Sequence, residues 1–131
     1  ALERLRASEL RPTRQRLGLA KLLFEGGDRH VTAEQVHAEA TESGLRVSLA
    51  TVYNTLHQFT RAGLMREVVV EAGRSYFDTN VSDHHHLFFE SNGRLVDVPA
   101  AQVDIRGLPD LPPGTEVTRI DVILRASSSL K

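Results

Sequence analysis

The spacing of apolar residues changes once along this chain, at Gly63, and that change restricts the folds open to it. Before Gly63 they recur at helical intervals, and after it they fall in short β-prone runs between turn signals. Helices followed by strands predict an α+β chain with a helical lobe and a sheet-rich lobe. Leu17, Ala20, Leu23 and Phe24 mark a first helix, opened near Pro12 in its first turn and ended by Gly26-Gly27. Thr32-Ala33-Glu34-Gln35 is a capping-box pattern with Val31 and Val36 at staple positions, so a second helix runs from Thr32 to about Ser43, and His30 lies in the loop before it. A third begins at an N-capping Ser48 and carries Leu49, Val52, Leu56 and Phe59 on one stripe.

The opposite face of that third helix presents Ala50, Asn54, His57 and Arg61, with Thr51, Tyr53 and Gln58 at its margins. Asn can read adenine edges, Arg can reach guanine or phosphate, and small groups can pack on thymine methyls. Ser48 at the helix start, Arg14 and Arg16 on the first helix, and Arg74 at a following turn complete the candidate DNA-contact set. Met65–Glu71 and Arg74–Asp78 read as a hairpin around Ala72-Gly73, which gives the order of a winged helix-turn-helix. An ordinary solvated helix face is the alternative reading of the same pattern.

The formal net charge of −1 argues weakly against a nucleic-acid binder, but residues 1–72 carry ten Lys/Arg against nine Asp/Glu, and all but one of those ten are Arg. With 131 residues split between two lobes, each core is small, and a homodimer is expected to cover the second lobe. The absence of cysteine excludes disulfides, thiol catalysis and Cys-type structural zinc. No run long enough to cross a bilayer and no signal-like start appear, so a cytoplasmic protein without a membrane partner is expected.

Thr79-Asn80-Val81-Ser82 has the look of a hinge, dividing the chain into 1–80 and 81–131. Beyond it, His84–Glu90 and Arg94–Val98 flank a Ser91-Asn92-Gly93 turn, Pro99–Gly107 suits a short helix, and Val117–Leu124 supplies a third strand. The result is a small α/β dimerisation domain. In a strand, His84 and His86 share one face and His85 takes the other, so the first two form a natural ligand pair near Asp78 and Asp97. A polar loop and a hydrolytic metal site are the other readings of this cluster. No nucleophile motif or phosphate-binding glycine loop supports an enzyme.

Arg11-Pro12-Thr13-Arg14-Gln15-Arg16, His30-Val31-Thr32-Ala33-Glu34-Gln35-Val36, Leu49-Ala50-Thr51-Val52-Tyr53-Asn54-Thr55-Leu56 and His84–Leu87, in that order, resemble the ferric uptake regulator (Fur) family. The resemblance implies a dimeric winged-helix regulator acting on operator DNA, with Tyr53 near thymine in the groove. It also implies a divalent metal (Fe, Mn or Zn) on His30, Asp78, His84, His86 and Asp97. The positions of the family's Cys-x-x-Cys zinc pair read Phe89 and Asn92 here, and only His85 and Asp104 could be remnants of a second regulatory site. The later chain, with Arg119-Ile120-Asp121, resembles the iron response regulator (Irr) branch, which implies haem on His84, His85 and His86 and a haem-delivering enzyme as a further partner. A peroxide-sensing, PerR-like regulator and a haem or metal carrier that never meets DNA are the rival functions.

Overall fold

The computed structural model describes residues 2–71 and 74–127 and divides the chain into two compact units, 1–81 and 82–131. The predicted Ala72-Gly73 hairpin tip and residues 128–131 lie outside the described residues.

The first unit runs α1 (Leu2–Ala7), α2 (Arg14–Phe24), β1 (His30–Val31), α3 (Ala33–Glu42), α4 (Leu49–Arg61), β2 (Arg66–Glu71) and β3 (Arg74–Asp78). Three helices start at hydroxyl caps. The Thr13, Thr32 and Ser48 side chains accept from the backbone N–H groups of Arg16, Gln35 and Thr51, each satisfying a donor that the helix leaves open. Thr13 as the cap puts Pro12 just before α2 rather than inside its first turn. Both α3 and α4 end at a left-handed glycine, Gly44 (φ 84°) and Gly63 (φ 81°). There the N–H of Leu45 reaches the Ala40 carbonyl and that of Leu64 the Phe59 carbonyl, each at 2.9 Å.

Leu19, Ala20 and Leu23 of α2, Val36 and Ala40 of α3, and Val52, Leu56 and Phe59 of α4 meet Val31, Met65 and Phe77 in one core. The stripe on α4 differs from expectation at its start. Leu49 is exposed and Thr55 is buried in its place, because Leu49 occupies the first turn and precedes the packed segment of the helix. Helix α1 was not anticipated from the sequence; it buries Leu5 completely against this core.

Strands β1, β3 and β2 form an antiparallel sheet in that order, with His30 opposite Asp78 and Val31 opposite Phe77. His30 is therefore a strand residue, not a loop residue. Arg29 locks this pairing. Its N–H donates to Thr79 Oγ1 (2.9 Å), its carbonyl accepts from the Thr79 N–H (3.1 Å), and its guanidinium grips both Glu39 oxygens of α3 at 2.9 and 2.6 Å.

The second unit holds β4 (His84–Phe89), β5 (Arg94–Pro99), a single 3-10 turn at Ala100–Gln102 and β6 (Ile123–Ala126). β4 lies between an antiparallel β5 and a parallel β6. The turn between β4 and β5 is held by the Gly93 N–H on the Phe89 carbonyl (2.8 Å) and by Asn92 Oδ1, which accepts from the Arg94 N–H (2.9 Å). The expected strand over Val117–Leu124 is shifted to Ile123–Ala126, and the expected Pro99–Gly107 helix is reduced to the 3-10 turn. Just before β6, the Val122 N–H donates to the His85 ring and its carbonyl accepts from the His86 N–H. No helix of the described residues is long and apolar enough to cross a membrane.

The Arg29 guanidinium holds the Glu39 carboxyl below its ordinary range. A depressed carboxylate stabilises the fold fully above its unfolded value, near pH ~4.3, and that stabilisation is lost as pH falls through the folded value. Both side chains are about 30% exposed (29% and 31%), so the pair is worth about 1 kcal/mol after solvent screening. Glu39→Gln should lower stability by that amount in urea unfolding at pH 7, and the deficit should shrink steadily as the pH is lowered through the acidic range; a deficit that does not change with pH would show that the ion pair is not its source.

Candidate metal centre and nucleic-acid interface

The His/Asp candidates for a metal ion among the described residues are His30, Asp78, His84, His86 and Asp97. In the first unit, the β1–β3 register sets His30 beside Asp78, with Nε2 3.3 Å from Oδ2. Asp78 is buried, and its other oxygen accepts from the Asn80 N–H at 2.9 Å. In the second unit, the strand alternation puts His84 and His86 on one face of β4, their rings 4.6 Å apart. Both aim Nε2 at Asp97 Oδ1, at 3.3 and 3.6 Å, and Asp97 faces His86 across the β4–β5 ladder.

Hydrogen bonding separates the three consecutive histidines. His84 Nδ1 lies 2.7 Å from the Ser82 carbonyl. A carbonyl only accepts, so Nδ1 donates to it, and Nε2 is the nitrogen that faces Asp97. This is the arrangement of a metal-ligating histidine whose second nitrogen is tied to backbone. His85 is the reverse. Its Nδ1 accepts from the Val122 N–H at 3.1 Å, so its lone pair is already used in fastening β6. All three residues are buried. Imidazole nitrogen and carboxylate oxygen suit Fe(II), Mn(II) or Zn(II), so the donor chemistry of both sets fits such an ion.

On α4, several of the candidate DNA contacts are engaged within the fold. Ser48 Oγ and Thr51 Oγ1 bond to one another (2.9 Å) at the helix cap, Arg16 donates to Gln58 Oε1 (3.1 Å) and the Arg11 carbonyl (3.0 Å), and the His57 ring stands edge-on to Phe77 at 5.3 Å. Ala50, Tyr53, Asn54 and Arg61 face solvent, as does Arg14 on α2. Arg74, at the wing, pairs with Glu71 (3.1 Å). The Tyr53 hydroxyl donates to the Glu34 carboxylate of α3 at 3.0 Å, which raises its pKa above the ordinary tyrosine value. Sequence reasoning missed Glu34, which lies nineteen positions away from Tyr53. It also missed Arg29, whose partner Thr79 is fifty positions away. No local pattern announces either contact.

The profile of the Ferric uptake regulator family matches residues 7–109. This chain belongs to that family. It is 36% identical over 94 residues to the Ferric uptake regulation protein of Legionella pneumophila, covering 71% of this chain and 69% of that one. It is 33% identical over 103 residues to the Pseudomonas aeruginosa protein of the same name (78% and 77% covered). It is also similar to the peroxide-responsive repressor PerR of Staphylococcus epidermidis, at 31% over 100 residues (76% and 66%). Among solved structures, the ferric uptake regulator of P. aeruginosa with manganese superposes with a TM-score of 0.77 at 26% identity, covering 98% of both chains. Ferric uptake regulator family members are metal-responsive, DNA-binding transcriptional regulators, not enzymes, with an N-terminal winged-helix domain and a C-terminal dimerisation domain.

The opposite hydrogen bonding of neighbouring histidines gives a direct test. His85→Ala should loosen β6 and lower thermal stability while changing Mn(II) affinity less than about tenfold, whereas His84→Ala should weaken Mn(II) by 100-fold or more, beyond what loss of an outer-shell partner causes. Calorimetric metal titration beside thermal unfolding checks both; equal losses of affinity would show that His85 is a ligand as well.

Proposed function

We propose that this family member represses transcription as a homodimer on operator DNA, under control of one divalent ion taken by both ligand sets. The observation that carries the reading is the pair of prepared half-sites, His30 with Asp78 in the winged-helix unit and His84 and His86 with Asp97 in the second. The manganese in the P. aeruginosa relative supports it. A bound ion would supply bonds to donors from both lobes, limiting the orientations the winged helix takes relative to the dimer. A ligand that favours one orientation shifts the population toward the spacing a two-fold operator needs.

Within each protomer, His30 and Asp78 are fixed by the β1–β3 pairing, and the Ser82 carbonyl holds His84 Nδ1 so that Nε2 faces Asp97. Tyr53, Asn54 and Arg61 on α4 would meet base edges or phosphate, with Ala50 packing closely, Arg14 on a flanking phosphate and Arg74 at the wing. Ser48, Thr51, Arg16 and His57 support the helix that presents them, and can add contacts only by giving up the bonds described above. In the second unit, exposed Leu108, Leu111, Val117 and Leu124 provide the apolar surface that a partner copy would cover.

The haem response expected from His84-His85-His86 draws less support, because His85 is committed to Val122 and all three rings are buried. Haem binding there would require β4 and β6 to open. Titration of an AT-rich palindromic duplex, metal-free, with Mn(II) and with haem, separates the readings. Mn(II) should raise parent affinity tenfold or more, within the usual range of allosteric coupling, and should do nothing for a His84→Ala/His86→Ala variant. Affinity indifferent to Mn(II) but abolished by haem in the parent alone would replace the metal switch with an Irr-like one, and no duplex binding in any state would leave the carrier function.

A further inference from the structure

A cleft of the first unit lies between the start of α2 and the turn joining α3 to α4. It encloses about 630 Å3 and is lined by Thr13, Arg14, Gln15, Gly44, Leu45 and Arg46, with no carboxylate among them. We propose that this cleft seats a backbone phosphate of duplex DNA between Arg14 and Arg46, an inference that rests on the DNA-binding reading above. Arg46 is outside the set of contacts drawn from the recognition helix.

Packing explains why these two guanidinium groups share one cleft. Gly18 lies one turn beyond Arg14 on α2, and the Leu45 side chain presses onto it so closely that a Cβ there would be 2.8 Å from Leu45 Cδ2. The absence of a side chain at Gly18 lets the turn settle against α2 and carries Arg46, next to Leu45, toward Arg14. The turn is pinned at its other end by the Leu45 N–H on the Ala40 carbonyl. Arg46 is followed two residues later by the Ser48 cap of α4, so the cleft flanks the start of the proposed reading helix.

The charge pattern points to an anion. Arg14 and Arg46, like several other exposed arginines, have no carboxylate partner among the described residues; what sets these two apart is that both line one cleft. Both are exposed. Two forked guanidinium groups beside the Thr13 hydroxyl and the Gln15 amide match the oxygens of a phosphodiester. In a chain of net charge −1, such local contacts must supply the affinity that overall charge does not.

The test uses the full chain, an AT-rich palindromic duplex and a scrambled duplex of equal length, over a series of salt concentrations. Arg14→Ala/Arg46→Ala should weaken both duplexes alike, by roughly tenfold or more, and should reduce the slope of log affinity against log salt by about 0.9 per protomer. Lys21→Ala, which removes one charge from the exposed side of α2 outside the cleft, should change either affinity less than about twofold, and Arg46→Ala alone should fall between the two. A double variant no weaker than Lys21→Ala overturns the proposal. So does a rise in the parent's thermal midpoint with inorganic phosphate, absent in the double variant, if the two bind duplex equally; the cleft would then hold free phosphate. A parent that binds neither duplex overturns the DNA-binding reading itself.

Discussion

Two residues of strand, His30-Val31 against Phe77-Asp78, hold the first unit in its functional form. That pairing ties the hairpin by backbone hydrogen bonds to the segment leading into α3, and so sets the start of α3 relative to the end of β3. The ladder is too short to be stable alone. It is reinforced from outside by Arg29, which exchanges backbone hydrogen bonds with Thr79 and bridges to Glu39, and from inside by the burial of Val31 and Phe77. The same pairing places His30 next to Asp78, so the proposed metal half-site comes from the closure of the fold.

The histidine run shows how one strand can separate chemistry from architecture. Alternation sends His84 and His86 to one face and His85 to the other, and hydrogen bonding then sets the tautomers. The Ser82 carbonyl accepts from His84 Nδ1 and leaves Nε2 facing Asp97, while His85 Nδ1 accepts from the Val122 N–H. Three identical side chains therefore carry out two tasks.

Much of this was legible in the sequence because the deciding signals are local. Thr32 and Ser48 announce helix starts, Gly63 an end, Asn92-Gly93 a turn, and strand alternation pairs His84 with His86. What escaped depends on distant partners. Nothing near Arg29 points to Thr79, and nothing near Tyr53 points to Glu34. Helix α1 carries too few apolar positions to show a period, although Leu5 is fully buried. The strand predicted from Val117 was misplaced because β-prone composition does not reveal where a sheet edge ends. The apolar face of α4 was read correctly through Val52, Leu56 and Phe59, but Leu49 lies beyond the packed segment.

The polar face of α4 also contributes to the fold's own cohesion. Ser48 and Thr51 close its cap, His57 packs on Phe77, and Gln58 holds Arg16, so few side chains remain to meet a partner. Tyr53 is exposed, but its hydroxyl is directed by Glu34 from the neighbouring helix. That hydrogen bond aims the ring and keeps the phenol protonated, since a carboxylate acceptor opposes formation of a second negative charge nearby. It also places a negative charge on the face proposed to meet DNA. For a chain carrying slightly more acidic than basic residues, the proposed duplex binding through this face would depend on arginines at its margins, because the helix would offer orientation and base-edge chemistry but little positive charge of its own.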